Sequence, residues 1–250
     1  MRLEEMTGFL DTYLRVAELP DSPGAMNGLQ VANRGTVTRI GAAVDASERT
    51  IVAAVQRACD LLLVHHGLFW LGTQPVTGRR YRKLKLLLDR EIAVYSAHIP
   101  LDVHPEVGNN AVFARELGIQ VEGTFGEYHG VHLGVWGTLD LRREALCARL
   151  DELLGVRVRM VPGGPERVRR VGVVSGAAAQ MIGEAATLGL DAFVTGEGAH
   201  HTYFDGLEER VNVYYGGHYA TETWGVRALA AKLQERYSVP WEFLDMPTGM

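Results

Sequence analysis

Short apolar runs of strand length alternate with helical patterns along most of this chain, and that alternation narrows the fold more than any other feature. The apolar runs are Ile40-Gly41-Ala42-Ala43-Val44-Asp45, Leu61-Leu62-Leu63-Val64-His65-His66, 92–98, 168–175, 191–195 and 211–215. Between them lie helical stretches at about 48–60, 79–90, 108–117, 141–154, 177–188 and 220–237, several closed by a glycine suited to a helix C-terminus. Ser47 offers the first of these an N-cap. An amphipathic helix over 3–19 precedes the first strand, with Leu3, Met6, Leu10, Leu14 and Ala17 on one side. Short loops joining strand to helix argue an α/β fold. The glycine-bounded stretch Gly123 to Gly130 is the expected seam between two α/β domains. The expected division is 1–124 plus 212–250 as a metal-site domain and 125–211 as a second domain.

Five potential metal ligands stand at the ends of three of these strands, where open α/β sheets place their sites. His65 and His66 close one apolar run and Asp102 follows the strand 92–98. His218 and Glu222 follow the strand 211–215. Adjacent side chains on a strand point to opposite faces, but at the tip the pleat ends and two neighbours can reach either side of one site. Gly67 permits close backbone approach there. Taken alone, a histidine doublet serves a structural role equally well. Pro100 argues against a helical turn from His98 to Asp102, so that stretch reads as a loop with Asp102 projecting an oxygen ligand. His98 then stands beside it, orienting a ligand or handling protons. His218 and Glu222, four residues apart, share one face at the start of the last helix. A capping role accounts for Glu222 there but not for His218.

Imidazole and carboxylate without thiolate suit Zn, Mn, Fe or Ni. So many ligands exceed the needs of one ion with an open position and suit two divalent ions sharing a bridge. Around them, Thr195-Gly196-Glu197-Gly198-Ala199-His200-His201 supplies Glu197 as a further proton-transfer group, with His200 and His201 as substrate contacts. Asn27, in the turn-forming Asn27-Gly28, stands at the expected rim. Gly172-Val173-Val174-Ser175-Gly176 lacks the full dinucleotide fingerprint, and close packing accounts for its glycines.

A net charge of −5 disfavours a general nucleic-acid binder. No apolar run approaches the roughly 20 residues that cross a bilayer, and the acidic N-terminal residues do not read as a signal peptide. Cys59 and Cys147 fall inside predicted helices as buried thiols, which fits a reducing cytoplasm.

Together, Asn27-Gly28-Leu29-Gln30-Val31, Val64-His65-His66-Gly67, Ser96-Ala97-His98-Ile99-Pro100-Leu101-Asp102, Thr195-Gly196-Glu197 and Gly217-His218-Tyr219-Ala220-Thr221-Glu222 resemble the Nif-three-like family, whose members are also labelled GTP cyclohydrolase I type 2 homologues. The resemblance implies two interlinked α/β domains, a dinuclear metal centre in the cleft between them, and a toroidal homohexamer. By motif, His66 and Asp102 would bind one ion, His65 and His218 the other, and Glu222 would bridge. The inserted domain of some members has no room here. Family members often have His-Thr-Asn-Leu-Asp where this chain has His98-Ile99-Pro100-Leu101-Asp102, which loses a polar neighbour of the ligand. Two functions follow as expectations: a metal-dependent hydrolase acting on a phosphorylated or nucleotide-like substrate, or a non-catalytic metal-binding scaffold or partner-binding ring.

Overall fold

Leu3, Met6, Thr7 and Leu10 recur at helical spacing, and helix α1 (Leu3–Tyr13) buries all four. It stops short of the predicted end, with Arg15 at φ 55°. Strand β1 (Gly28–Val31) is followed by β2 (Ile40–Asp45), α2 (Glu48–Gln56), β3 (Leu61–His66), α3 (Gly78–Asp89) and β4 (Ala93–Ser96). The Ser47 side chain accepts a hydrogen bond from Thr50 N–H, which is the N-cap the sequence implies. The computed structural model describes residues 1–70, 72 and 74–250.

The stretch after β4 is one helical turn, α4 (Ile99–Asp102), where the sequence reading expects a loop. Pro100 falls in the first turn, where its missing N–H would have no intrahelical partner, so the residue expected to forbid helix is tolerated. Helix α5 (Asn109–Leu117) ends at Gly118 in the left-handed conformation, φ 82°. A long hairpin of β5 (Gln120–Tyr128) and β6 (Val131–Arg142) follows, occupying the stretch expected as a seam. Then come α6 (Arg143–Leu154), β7 (Arg159–Pro162), β8 (Arg167–Val174), α7 (Ile182–Thr187), β9 (Ala192–Thr195), α8 (Thr202–Glu208) and β10 (Asn212–Tyr215). The last helical region is broken rather than continuous. It consists of α9 (His218–Thr221), a break at Glu222, and α10 (Thr223–Tyr237), before β11 (Trp241–Phe243).

The chain forms two compact units, Met1–Leu101 with Gly225–Met246, and Asp102–Trp224 with Pro247–Met250. Each has its own sheet, as expected of a mixed α/β chain. In the first unit the order is β1-β4-β3-β2-β11. The β2, β3, β4 and β11 strands run parallel and β1 pairs antiparallel at the edge. Strands buried on both faces read as continuous apolar runs, and Leu61, Leu62, Leu63 and Val64 are wholly buried. In the second unit the order is β5-β6-β8-β9-β10-β7, with β8, β9 and β10 parallel and the remaining pairings antiparallel. Its core lies on both faces of that sheet, around Phe113, Leu150 and Tyr214 on one side and Phe125 and Phe193 on the other. Among the described residues no helix is long and apolar enough to cross a membrane.

Candidate metal centre

In the first unit, parallel pairing aligns the carboxyl ends of neighbouring strands. Asp45, last on β2, pairs in register with His66, last on β3, and Val64 pairs with Ser96 on β4. His65 is fully buried, and His66 and His98 are partly so. Each ring has its Nδ1 against an oxygen: His65 with the Ala97 carbonyl at 2.9 Å, His66 with Asp45 Oδ1 at 2.9 Å, His98 with Asp21 Oδ1 at 2.7 Å. A carbonyl accepts only, so His65 Nδ1 donates, which in the neutral ring leaves Nε2 the lone pair. The carboxylates favour the same tautomer at His66 and His98. Oxygen partners of this kind fix ring orientation and raise ligand basicity. Ligand nitrogens of the three rings lie within 4.8 Å of one another. His98, read from sequence as a supporting group, therefore belongs to the same cluster as the doublet.

Asp21 anchors this arrangement and escapes the sequence reading. Its oxygens accept from His98, from Asn27 Nδ2 at 2.7 Å, from Ile99 N–H at 3.1 Å and from Ser22 N–H at 2.6 Å. Burial would raise its carboxyl, but the bonds from His98, Asn27 and Ser22 outweigh that and hold it below the ordinary carboxylate value. Asn27 accepts in turn from His98 N–H at 2.8 Å. The amide expected at a substrate rim is thus engaged at both ends in holding the His98 corner. Trp70 closes the cluster edge-on, its ring centroid 5.6 Å from His66 and 4.8 Å from His98.

In the second unit, Asp102 ends α4, and its Oδ1 accepts from Asn109 Nδ2 at 2.9 Å and from Ser175 Oγ at 3.3 Å. His218 opens α9 and Glu222 caps it, so the four-residue spacing survives the break that separates α9 from α10. His218 Nε2 lies 3.1 Å from Glu222 Oε1, and its Nδ1 lies 2.8 Å from Glu197 Oε1. The hydrogen bond to the buried Glu222 carboxylate is the main cause that drives the His218 pKa up to about 9, with Glu197 adding to it against burial. Gly176, at φ 66°, packs so tightly on this pair that an added Cβ would run into the Glu222 carboxylate and approach His218 Nε2. Its N–H donates to Thr221 Oγ1 at 3.1 Å, and its carbonyl accepts from Thr195 Oγ1 at 3.1 Å. The glycine turn therefore leaves room for the Glu222 carboxylate and is bonded to its neighbour Thr221.

His200 and Glu197 line a cavity of about 530 Å³ with Arg159, Tyr203, Phe204 and Tyr215. His201 stands on the surface, 4.0 Å from Asp205. Neither thiol joins the histidines: Cys59 is buried in the first unit's core, where desolvation pushes its pKa to about 11, and Cys147 packs against the second unit's core.

These donors fit a divalent ion. The first unit offers a triad of imidazoles with tethered Nδ1 atoms, and the second an imidazole beside a buried carboxylate that can share an ion. The glycine cradle keeps side-chain bulk out of the latter pair. His/Glu and His groups of this composition can hold a metal ion.

Comparison with known proteins agrees with the motifs. The GTP cyclohydrolase 1 type 2 homolog of Deinococcus radiodurans is 43% identical over 249 residues, covering 99% of this chain and 94% of that protein. The solved structure of protein ybgI, of unknown function, superposes with a TM-score of 0.93 at 37% identity, over 100% of both chains. That of TTHA1606 from Thermus thermophilus gives 0.90 at 42%, again over 100% of both. The family model for Duf34/NIF3 (NGG1p interacting factor 3) matches residues 1–248, and the chain belongs to that family.

Proposed function

We propose that His65, His66, Asp102, His218 and Glu222 hold two divalent ions, of Zn, Mn, Fe or Ni, and that the protein hydrolyses a phosphorylated or nucleotide-like small molecule. The observation that carries this reading is the shared geometry of the imidazoles: in His65, His66 and His218, Nδ1 lies against an oxygen, so each ring turns Nε2 to its opposite side, where in His218 it meets the Glu222 carboxylate that would share its ion. Divalent ions in such a setting supply Lewis acidity and make a water acidic enough to attack near neutral pH. Glu222 has two carboxylate oxygens to share between ions. Asp102 adds a hard oxygen oriented by Asn109 and Ser175. His98 and Glu197 are the groups suited to moving protons, since each sits beside a proposed ligand and engages a hydrogen-bonding partner. The curated relatives are named GTP cyclohydrolase 1 type 2 homologs, which adds a nucleoside triphosphate to the substrates worth testing. A homohexamer belongs to the same reading.

The test is turnover of a panel of phosphomonoesters, phosphodiesters and nucleotides, GTP included, by metal-loaded protein and a Glu222→Ala variant. The expected result is metal-dependent hydrolysis of at least one substrate, reduced at least about tenfold by the substitution. Turnover that is absent across the panel, or that ignores both metal and Glu222, contradicts the hydrolase reading.

A further inference from the structure

The helix α3 divides its basic residues into two sets. Arg82 and Lys85 are paired, with Glu48 at 3.0 Å and Asp89 at 2.6 Å. Among the described residues Arg79, Arg80 and Lys83 form no ion pair. These three instead line a cavity of about 500 Å³, together with Gly67, Trp70 and Gln74. Arg79 and Arg80 stand in the first turn of α3, which contains no acidic residue. That end of a helix favours anions, so two arginines there raise the local positive potential where an α-helix would sooner have it lowered.

Two of these cations are held in place. Arg80 donates to Gln74 Oε1 at 3.1 Å and to the Gln74 carbonyl at 3.3 Å, which pins the guanidinium. Lys83 Nζ donates to the Ala46 carbonyl at 2.8 Å. Burial, then the neighbouring Arg79, lowers the Lys83 pKa. Three like charges crowded on one cavity wall are unfavourable without an opposite charge among them. Glu48 and Asp45 act on Lys83 through space, but neither pairs with it: Glu48 is bonded to Arg82 and Asp45 to His66.

The cavity also adjoins the histidine cluster. Gly67 follows His66 directly, and Trp70, which donates to the Gly67 carbonyl at 2.9 Å, also makes edge-on ring contacts with His66 and His98. A molecule seated against Trp70 would have one end among the cations and the other beside the imidazoles.

We propose that Arg79, Arg80 and Lys83 form the binding pocket for a phosphoryl group of a small phosphorylated substrate, whose remaining part passes Trp70 toward His66. This rests on the hydrolase reading for what happens to the substrate, but binding itself does not depend on metal. Arginine suits the role because its planar fork matches phosphate oxygens in pairs, and charge-assisted bonds of this kind are about twice as strong as neutral ones.

The experiment is titration calorimetry with guanosine monophosphate, guanosine and inorganic phosphate. It compares the full-length native protein with Arg79→Gln and Arg80→Gln, each metal-loaded and metal-free, with metal content measured on the same samples. Arg79 is exposed, so its replacement should leave the fold intact. The pocket predicts that the monophosphate binds at least about tenfold more tightly than guanosine and that inorganic phosphate competes. Each substitution should weaken the monophosphate about fivefold or more in both metal states, with a shallower salt dependence and unchanged metal content. Equal binding of guanosine and its monophosphate, or native affinity in both variants, overturns the proposal. So does tighter binding of a short DNA duplex than of the monophosphate, which would make the patch a polynucleotide surface. Native protein that holds no metal yet binds the monophosphate through Arg79 would remove the hydrolase reading and leave the pocket standing.

Discussion

His218 has a carboxylate at each ring nitrogen, Glu197 at Nδ1 and Glu222 at Nε2. In the metal-free protein that arrangement favours imidazolium, hence a pKa near 9 against an ordinary 6.5. A metal needs the neutral ring, so binding must expel this proton. Two opposite pH trends follow. The folded-state pKa is raised, so the ion pair's stabilisation is fully present below about pH 6.5 and is lost as pH rises through about 9. Melting of metal-free protein between pH 6 and 10 should therefore show a falling midpoint across that window, and Glu222→Gln should flatten it. Zinc affinity of the native protein should rise over the same window as the proton leaves. A midpoint independent of pH, or zinc affinity that falls as pH rises, would contradict this account of His218. At this scale the proposed ligands can be picked out in the sequence, because strand tips are where side chains of this kind gather. Their supports are not. Asp21 lies 77 residues from His98 and Asp45 21 residues from His66, and only sheet pairing and loop return bring each to an Nδ1.

Elements show where local pattern and tertiary context part. The buried parallel strands β2, β3, β4 and β9 are readable because burial on both faces leaves a nearly continuous apolar run, while β8 is apolar and buried only from Val171 onward. The edge strands β1 and β11, of four and three residues, carry too little pattern to stand out. Strand β5 has mostly exposed residues and two glycines, so it reads as a connector until it is seen paired along β6. Pro100 reads as a helix breaker, yet a first-turn position makes it harmless. The break at Glu222 has φ −108° and ψ 7°, and no residue type marks it in the sequence. Gly176 gives the test at this scale. Its positive φ and its closeness to Glu222 both exclude a side chain. Gly176→Ala should displace Glu222 and weaken metal binding at least about tenfold, comparable with the loss of a ligand-orienting partner. The melting midpoint of metal-free protein should change much less, since strain of this kind costs on the order of 1–3 kcal/mol. Metal affinity unchanged in Gly176→Ala would show that the glycine serves packing alone.

At the scale of the whole chain, the polypeptide leaves the first unit between Leu101 and Asp102 and returns to it between Trp224 and Gly225. It crosses once more between Met246 and Pro247, and the first two crossings fall beside proposed ligands: Asp102 is the first residue after one, and Glu222 stands two residues before the other. A seam at 123–130 looks natural in the sequence because glycines bound it, but 123–128 belong to β5 and only His129 and Gly130 turn the chain into β6. Hairpin turns and domain linkers draw on the same residue types, so composition cannot separate them. The α/β class is legible because the alternation of strand and helix survives in both units. The central claim is that His65, His66, Asp102, His218 and Glu222 bind two metal ions together, and metal content per chain tests it most directly. Native protein loaded with zinc or manganese and freed of excess metal should retain two equivalents by elemental analysis, falling to one or none in His66→Ala and in His218→Ala. Native protein that retains less than one equivalent, or variants that retain as much as the native chain, would contradict it.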